Sequence, residues 1–221
     1  MSSEKAEAGE YGMQIAAVNS PRPAPRKLAN PGPIGLFSFA STTLILSLYN
    51  AHTRGITTPN VVVGMAMFVG GLAQLLAGMW EVAVGNTFGA TAFTLYGGFW
   101  LSYATIFIPG SGIIAAYSEH EPELSSAVGI YLITWFIVTF LLFIGTLRRS
   151  IGFILLFGML DITFLLLSIA EFAANPDAAK AAGYTGVITA LIAYYIGLSG
   201  VLTREDSWFT LPLGEIPKRL D

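Results

Sequence analysis

The chain has no cysteine, and charge is almost as scarce: Asp, Glu, Lys and Arg make up 11% of its 221 residues, against about a quarter in an ordinary soluble domain. The first absence excludes a disulfide framework, a thiol nucleophile and a Cys-ligated metal. The second makes lipid the expected solvent, because 54% of the residues are hydrophobic and the mean hydropathy is +0.65. No basic cluster is large enough to hold nucleic acid, and the net charge of −3 is small. The two histidines, His52 and His120, stand alone with no second ligand at metal spacing. No nucleophile has a base placed by a recognisable motif, so neither an enzyme nor a metal or other cofactor is expected. The first 29 residues lack an apolar core of signal-peptide length, and "PRPAPRK" reads as an extended linker. A disordered cytoplasmic tail is therefore expected over residues 1–29, a membrane domain over 30–203 and a short cytoplasmic tail over 204–221.

What fills the chain instead is long apolar runs. A helix needs about 20 apolar residues to cross the hydrocarbon, and six runs of that order are bounded by polar or turn residues: 34–50, 61–80, 88–108, 128–147, 151–172 and 184–202. The expected fold is an all-α membrane protein, six transmembrane helices in one bundle. The three-residue "RRS" makes the fourth and fifth antiparallel neighbours. Six spans put both termini on one side, which then carries Lys5, Arg22, Arg26, Lys27, Arg148, Arg149, Arg204, Lys218 and Arg219. Only Arg54 and Lys180 fall opposite. Positive charge gathers on the cytoplasmic side, so both termini are expected in the cytoplasm. A three-plus-three inverted duplication fits the span count, but no residue repeat supports it.

Polar groups inside these runs cannot be satisfied by lipid and must face protein or a wet path. In the first run Phe39, Thr43, Ser47 and Asn50 share one face; the hydroxyls either bond back to the carbonyl four residues earlier and join helices, or line a path. In the second, Gly64, Gly71, Gly78 and Gly85 recur every seven residues and are expected to admit a neighbouring backbone. Gln74 and Glu81 share another face, where an interhelical hydrogen bond and an interfacial anion compete with places on a path and, for Glu81, with a proton site. Asn86, followed by Thr87, is expected to cap the third helix. Tyr96, Trp100 and Tyr103 then lie on one face, as core packing or as a narrow passage whose phenols need partners. Asp161 falls mid-membrane, where a carboxylate costs roughly 2.5–3.5 kcal/mol. It is either a neutral acid bonded to another helix or a proton acceptor.

Two stretches have a family likeness. "NPGPIGL" at the head of the first run and "GNTFGATAFTLYGGFW" at the head of the third, in a six-span chain, resemble the acetate uptake transporter family, also called the succinate–acetate transporters. The likeness covers roughly residues 29–202. Gly32 and Ile34 replace the Ala and Leu of the usual NPAPLGL, and both prolines are kept. The resemblance implies a homohexamer whose protomers each carry a path for acetate and other short monocarboxylates and, through its likeness to fungal members, a plasma membrane; a proton is expected to travel with the substrate, because an unpaired anion in low dielectric is prohibitively costly. It also implies a hydrophobic constriction of a Phe, a Tyr and a Leu: Phe39, Tyr96 in "LYG" and, from "GMLDITF", Leu160. The long proline-containing start is similar to that of fungal members. A passive acetate channel and an acetate-sensing membrane protein are the alternatives. Pro33 suits the first helical turn, where its missing N–H is no loss, and the free N–H groups beside Asn30 are placed to attract a carboxylate.

Overall fold

The computed structural model describes residues 28–217. Most of the tail expected over 1–29 lies outside the described residues, as do residues 218–221. Six long helices follow one another: α1 Gly32–Asn50, α2 Val62–Ala83, α3 Thr87–Phe107, α4 Glu121–Thr146, α5 Ile151–Phe172 and α6 Pro176–Val201. Among the described residues there is no strand, only an isolated antiparallel bridge between Ser150 and Glu215. Five of the six helices are long and apolar enough to cross a membrane. The exception is α3, which is 21 residues long and uncharged but diluted by Thr, Gly, Tyr and Ser.

The helix starts follow from local chemistry. The Asn30 side chain accepts from the Gly32 N–H at 3.0 Å, and Pro33 sits in the first turn. Asn86 caps α3 by accepting from the Gly89 N–H at 3.2 Å. Ser150 does the same for α5 through the Phe153 N–H at 3.3 Å, and Asn175 for α6 through the N–H groups of Asp177 and Ala178. These bonds satisfy donors that a helix leaves free at its N-terminus.

Two starts differ from expectation. The fourth and sixth helices begin at Glu121 and Pro176 rather than near 128 and 184. Each extension is polar or Ala-rich and reads as loop by hydropathy, but a proline in the first turn starts it, and in α6 an Asn cap precedes that proline.

Within α2 the backbone is π-helical from Phe68 to Ala73. The wider turn breaks the register on which a seven-residue glycine stripe depends. Gly64 faces open space, and Gly85 lies past the helix end with φ +78°, a left-handed conformation that glycine adopts without strain. Gly70 joins the contact face instead. A Cβ there would stand 2.7 Å from Thr42 Oγ1 and 2.8 Å from the Trp100 ring, and one at Gly78 would meet the Thr94 backbone N at 2.7 Å.

The tightest packing is between α1 and α6. Gly183, Gly186, Ala190, Ala193, Gly197 and Gly200 recur at alternating steps of three and four on α6, and the four glycines lie against α1 and Ala51 just past its end. Small residues at that spacing let two helix axes approach closely. The remaining helices pack in chain order, α1 on α2, α2 on α3, α4 on α5 and α5 on α6. Side chains join α3 to α4: Tyr131 donates to the Phe99 carbonyl at 3.0 Å, and the hydroxyls of Tyr96 and Thr139 pair at 3.0 Å. The result is a closed ring of six helices.

The segment after α6 is not a loose tail. Residues 212–217 cross the end of the bundle, where the N–H groups of Ile151 and Gly152 donate to the carbonyls of Gly214 and Leu213 at 2.9 and 3.0 Å. The Tyr195 hydroxyl donates to the Pro212 carbonyl at 2.9 Å. A start of α5 that would otherwise leave N–H groups free is closed by the chain's own C-terminal segment.

Candidate functional site

A cavity opens inside the ring at the end where α1, α3 and α5 begin and α2, α4 and α6 finish. Its volume is about 230 Å³. Polar groups gather at the mouth: Asn30, Glu81, Asn86, Arg149 and Ser199 all line it. Asn86 holds Glu81 in place, because its side-chain N–H donates to Glu81 Oε2 at 2.8 Å while its own carbonyl caps α3. Glu81 is only 2% exposed and is packed beside Gly89 and Gly32. Arg149 lies with its guanidinium 4.2 Å from the centre of the Phe88 ring, a cation–π contact.

Deeper in, the lining becomes apolar, with Leu36, Phe93, Leu156, Phe157 and Ile196. The deepest lining residues are Phe39 on α1, Gln74 on α2, Tyr96 on α3 and Leu160 on α5. Each is two to three turns from the mouth, about 10–15 Å along a helix at 1.5 Å per residue, so the cavity ends near mid-bundle. The rings of Phe39 and Tyr96 lie 5.7 Å apart, and Tyr96 and Phe157 lie 6.2 Å apart.

Polar atoms without partners collect at this depth. Gln74 is 1% exposed and its Oε1 meets no donor; Thr43 Oγ1, Trp100 Nε1 and Asp161 Oδ1 are likewise buried and unpaired, as is Thr94 Oγ1 at the contact of α3 with Gly78 of α2. Thr43 and Trp100 are one turn beyond Phe39 and Tyr96, and Asp161 follows Leu160. Buried polar groups in proteins are almost always paired, so such a group of orphans marks a place where water or a ligand supplies the missing bonds.

Of the residues singled out in the sequence, the cavity brings together Asn30, Phe39, Gln74, Glu81, Asn86, Tyr96 and Leu160. The others do not line it. Ser47 packs against Gly186 on α6, and Asn50 is half-buried at the opposite end of α1. Thr87 is exposed. Tyr103 stacks on Phe99 at 5.8 Å and meets Phe107 at 4.9 Å, toward the far end of α3. Asp161 is half-buried. Sequence reasoning missed Phe93, Arg149, Phe157, Ser199 and Leu213. Phe93 lies three residues before Tyr96, and Phe157 three before Leu160, so helical spacing from those two anchors would have found them. Leu213 reaches the mouth only because the C-terminal segment folds back. Among the described residues no three His, Cys, Asp or Glu side chains gather to hold a metal ion.

The sequence pattern of the GPR1/FUN34/yaaH family matches residues 13–218. The chain is 51% identical over 196 residues to ammonia transport outward protein 2 of Saccharomyces cerevisiae, covering 86% of this chain and 70% of that one. It is 43% identical to acetate permease A of Emericella nidulans, covering 87% of this chain and 68% of the relative. It is 37% identical to the succinate-acetate/proton symporter SatP of Escherichia coli, covering 86% and 97%. Among solved structures, that of the bacterial acetate channel SatP is similar with a TM-score of 0.75 at 35% identity, covering 85% of this chain and all of the other. The likeness first seen in "NPGPIGL" and "GNTFGATAFTLYGGFW" thus extends over nearly the whole chain, and its apolar helices and membrane relatives make it an integral multi-pass protein. The chain belongs to the GPR1/FUN34/yaaH family.

Proposed function

We propose that this protein carries acetate and related short carboxylates across the plasma membrane, through a path inside each protomer's ring of helices, together with protons. The observation that supports it best is the cavity itself: polar at an open mouth, apolar within, and ending beside unpartnered polar atoms at Gln74, Thr43 and Trp100. A pure packing core has no use for such atoms. In this reading α3 is the sixth span, with Gly, Thr and Tyr in it because it lines the path, and both termini face the cytoplasm. Phe39, Tyr96 and Leu160 form the constriction, whose size selects substrates with few carbons. Relatives named for acetate, and one named as a succinate-acetate/proton symporter, support the substrate class and the proton. The hexamer rests on the family resemblance.

The proton follows from desolvation. An ionised carboxylate moved into an apolar ring without compensation is prohibitively costly, whereas the neutral acid crosses with its own proton and no net charge. Purified protein in liposomes tests this: with the outside made acidic, labelled acetate should accumulate above its outside concentration, and faster than in liposomes without the protein. Equilibration without accumulation would leave a passive channel, and no flux at all would refute transport of acetate. A second reading, passage of ammonia, has its support in the 51% identical relative that bears that activity in its name. Labelled methylammonium in the same liposomes separates the two.

A further inference from the structure

The cavity opens at one end of the bundle and ends at Phe39, Tyr96 and Leu160, and the way onward is filled. On α3 the lining residues Gly89, Ala92, Phe93 and Tyr96 mark a strip that continues toward the far end as Phe99, Trp100 and Tyr103. Trp100 is 3% exposed, and its ring centre lies 5.0 Å from that of Phe99 and 6.2 Å from that of Tyr103. Phe164 on α5 meets Phe99 at 5.2 Å. At the far end Val62 and Val63 of α2 meet Tyr103 and Phe107 of α3 around a dent too small to hold a water molecule. From Tyr96 to Tyr103, about 10 Å along the helix, packed aromatic side chains thus separate the cavity from that dent. A path across the membrane requires this stretch to part.

We propose that the half of α2 remote from the mouth, Val62–Met67, is the gate that opens it, hinged on the π-helical turn Phe68–Ala73. The inference rests on the transport reading above and names the element that moves. Side chains tie the other helices to a neighbour. Tyr131 of α4 donates to the Phe99 carbonyl of α3 at 3.0 Å, Tyr194 of α6 donates to Ser41 of α1 at 2.8 Å, and Thr163 of α5 donates to Thr185 of α6 at 2.9 Å. The inner half of α2 is fastened too, through Glu81 and Asn86. Residues 61–73 consist of Val, Gly, Met, Ala, Phe and Leu alone, so no side chain there can make such a tie. The remote half is held by apolar contact, which has no preferred direction. At the hinge the contact runs through glycine: Gly70 lies against the Trp100 ring, and a Cβ at Gly71 would stand 2.6 Å from Leu101 Cδ2. Sharp bends in helices fall at glycines and at π turns, and α2 has both within the same six residues. When the remote half swings away, Trp100 loses the wall that fixes its ring. Its unpaired Nε1 and the unpaired Thr43 Oγ1 then meet entering water, the partner they lack in the closed form.

Paired cysteines test it. Val63→Cys with Phe107→Cys joins the start of α2 to α3 through a short, reducible bis-thiol reagent applied to the reconstituted protein. Thr163→Cys with Thr185→Cys joins α5 to α6 in the same way. Labelled acetate uptake should fall to the level of protein-free liposomes when the first pair is bridged and return on reduction, while the second pair, bridged, keeps its flux. Complete bridging of the first pair with undiminished flux would overturn the proposal. Equal loss in both pairs would overturn α2 as the moving element. If the first pair does not fold, Thr43→Cys alone carries the test, in liposomes whose protein has its cavity mouth facing the lumen. Silver ions, thiol-seeking and smaller than acetate, added outside only, should block its uptake and spare the cysteine-free protein. Uptake by Thr43→Cys that resists external silver would overturn an opening onto Trp100. Absence of acetate flux in the unaltered protein would remove the transport reading first.

Discussion

Asn86 does two jobs at the cavity mouth, and substitutions can separate them. Its carbonyl caps α3 through the Gly89 N–H, and its N–H donates to Glu81, which is almost fully buried. Losing an N-cap costs about 1 kcal/mol, and losing a hydrogen bond to a charged group about 1.5–3 kcal/mol. Asn86→Ala removes both and should destabilise by about 2–4 kcal/mol, which for a chain of this length lowers the melting temperature by roughly 4–16 °C. Asn86→Ser keeps a capping oxygen and loses the longer reach to Glu81, so it should retain the capping share. Asn86→Asp is the sharpest variant, because it keeps the cap but turns a carboxylate toward Glu81 with no donor between them. It should melt below Asn86→Ser at neutral pH, and Glu81→Gln, which restores a donor, should recover stability in the double variant. The assay is thermal unfolding in detergent for the three Asn86 variants and for Asn86→Asp combined with Glu81→Gln. Asn86→Asp melting with the wild type, or no recovery on adding Glu81→Gln, would refute the bridging role.

Other expectations follow from the same geometry. Phe39→Ala and Leu160→Ala should each admit larger carboxylates such as lactate or succinate in liposome uptake; unchanged selectivity in both would remove them from the constriction. Gly183→Ala places a Cβ 2.6 Å from the Ala51 backbone N and 2.8 Å from the Ser47 carbonyl, so it should destabilise by about 1–3 kcal/mol or more. Gly64→Ala meets open space and should be neutral or stabilising by up to about 1 kcal/mol; a melting temperature lowered as far as by Gly70→Ala, whose Cβ would stand 2.7 Å from Thr42 Oγ1, would contradict the register shift in α2. Asp161→Asn should leave the pH dependence of acetate uptake in place, because the substrate crosses with its own proton; a flattened profile would make the aspartate the proton acceptor instead.

Features set by short-range chemistry could be read from the chain. Pro33 in a first turn, Asn86 as a cap and the apolar runs needed only local rules, whereas a place for Leu160 beside the path came only with the family resemblance. What could not be read depended on backbone geometry or on distant partners. The π-helical turn at Phe68–Ala73 leaves no mark in a hydropathy pattern, yet it moves Gly64 out of the contact face and brings Gly70 in. The docking of residues 212–217 onto the start of α5 depends on backbone bonds to residues some 60 positions earlier, which composition does not encode. The α6 stripe from Gly183 to Gly200 is written in the sequence at steps of three and four, but which helix it meets depends on α1, more than 130 residues earlier. Arg149 reads as a loop cation in sequence and becomes a cavity residue only when α4 and α5 are packed and the Phe88 ring lies beneath it.

The central claim is that the cavity within the ring is the route of transport, and the absence of cysteine allows a direct test. Single cysteines can be placed at Ser199 by the mouth, at Ala92 inside the cavity, and at Leu141, which is 63% exposed on the outer face of α4. A small charged thiol reagent is then applied to each reconstituted protein while labelled acetate uptake is followed. The account predicts that flux falls on modification of Ser199→Cys and Ala92→Cys, that acetate protects both, and that Leu141→Cys is unaffected. Full labelling of Ser199→Cys and Ala92→Cys with undiminished flux would contradict it.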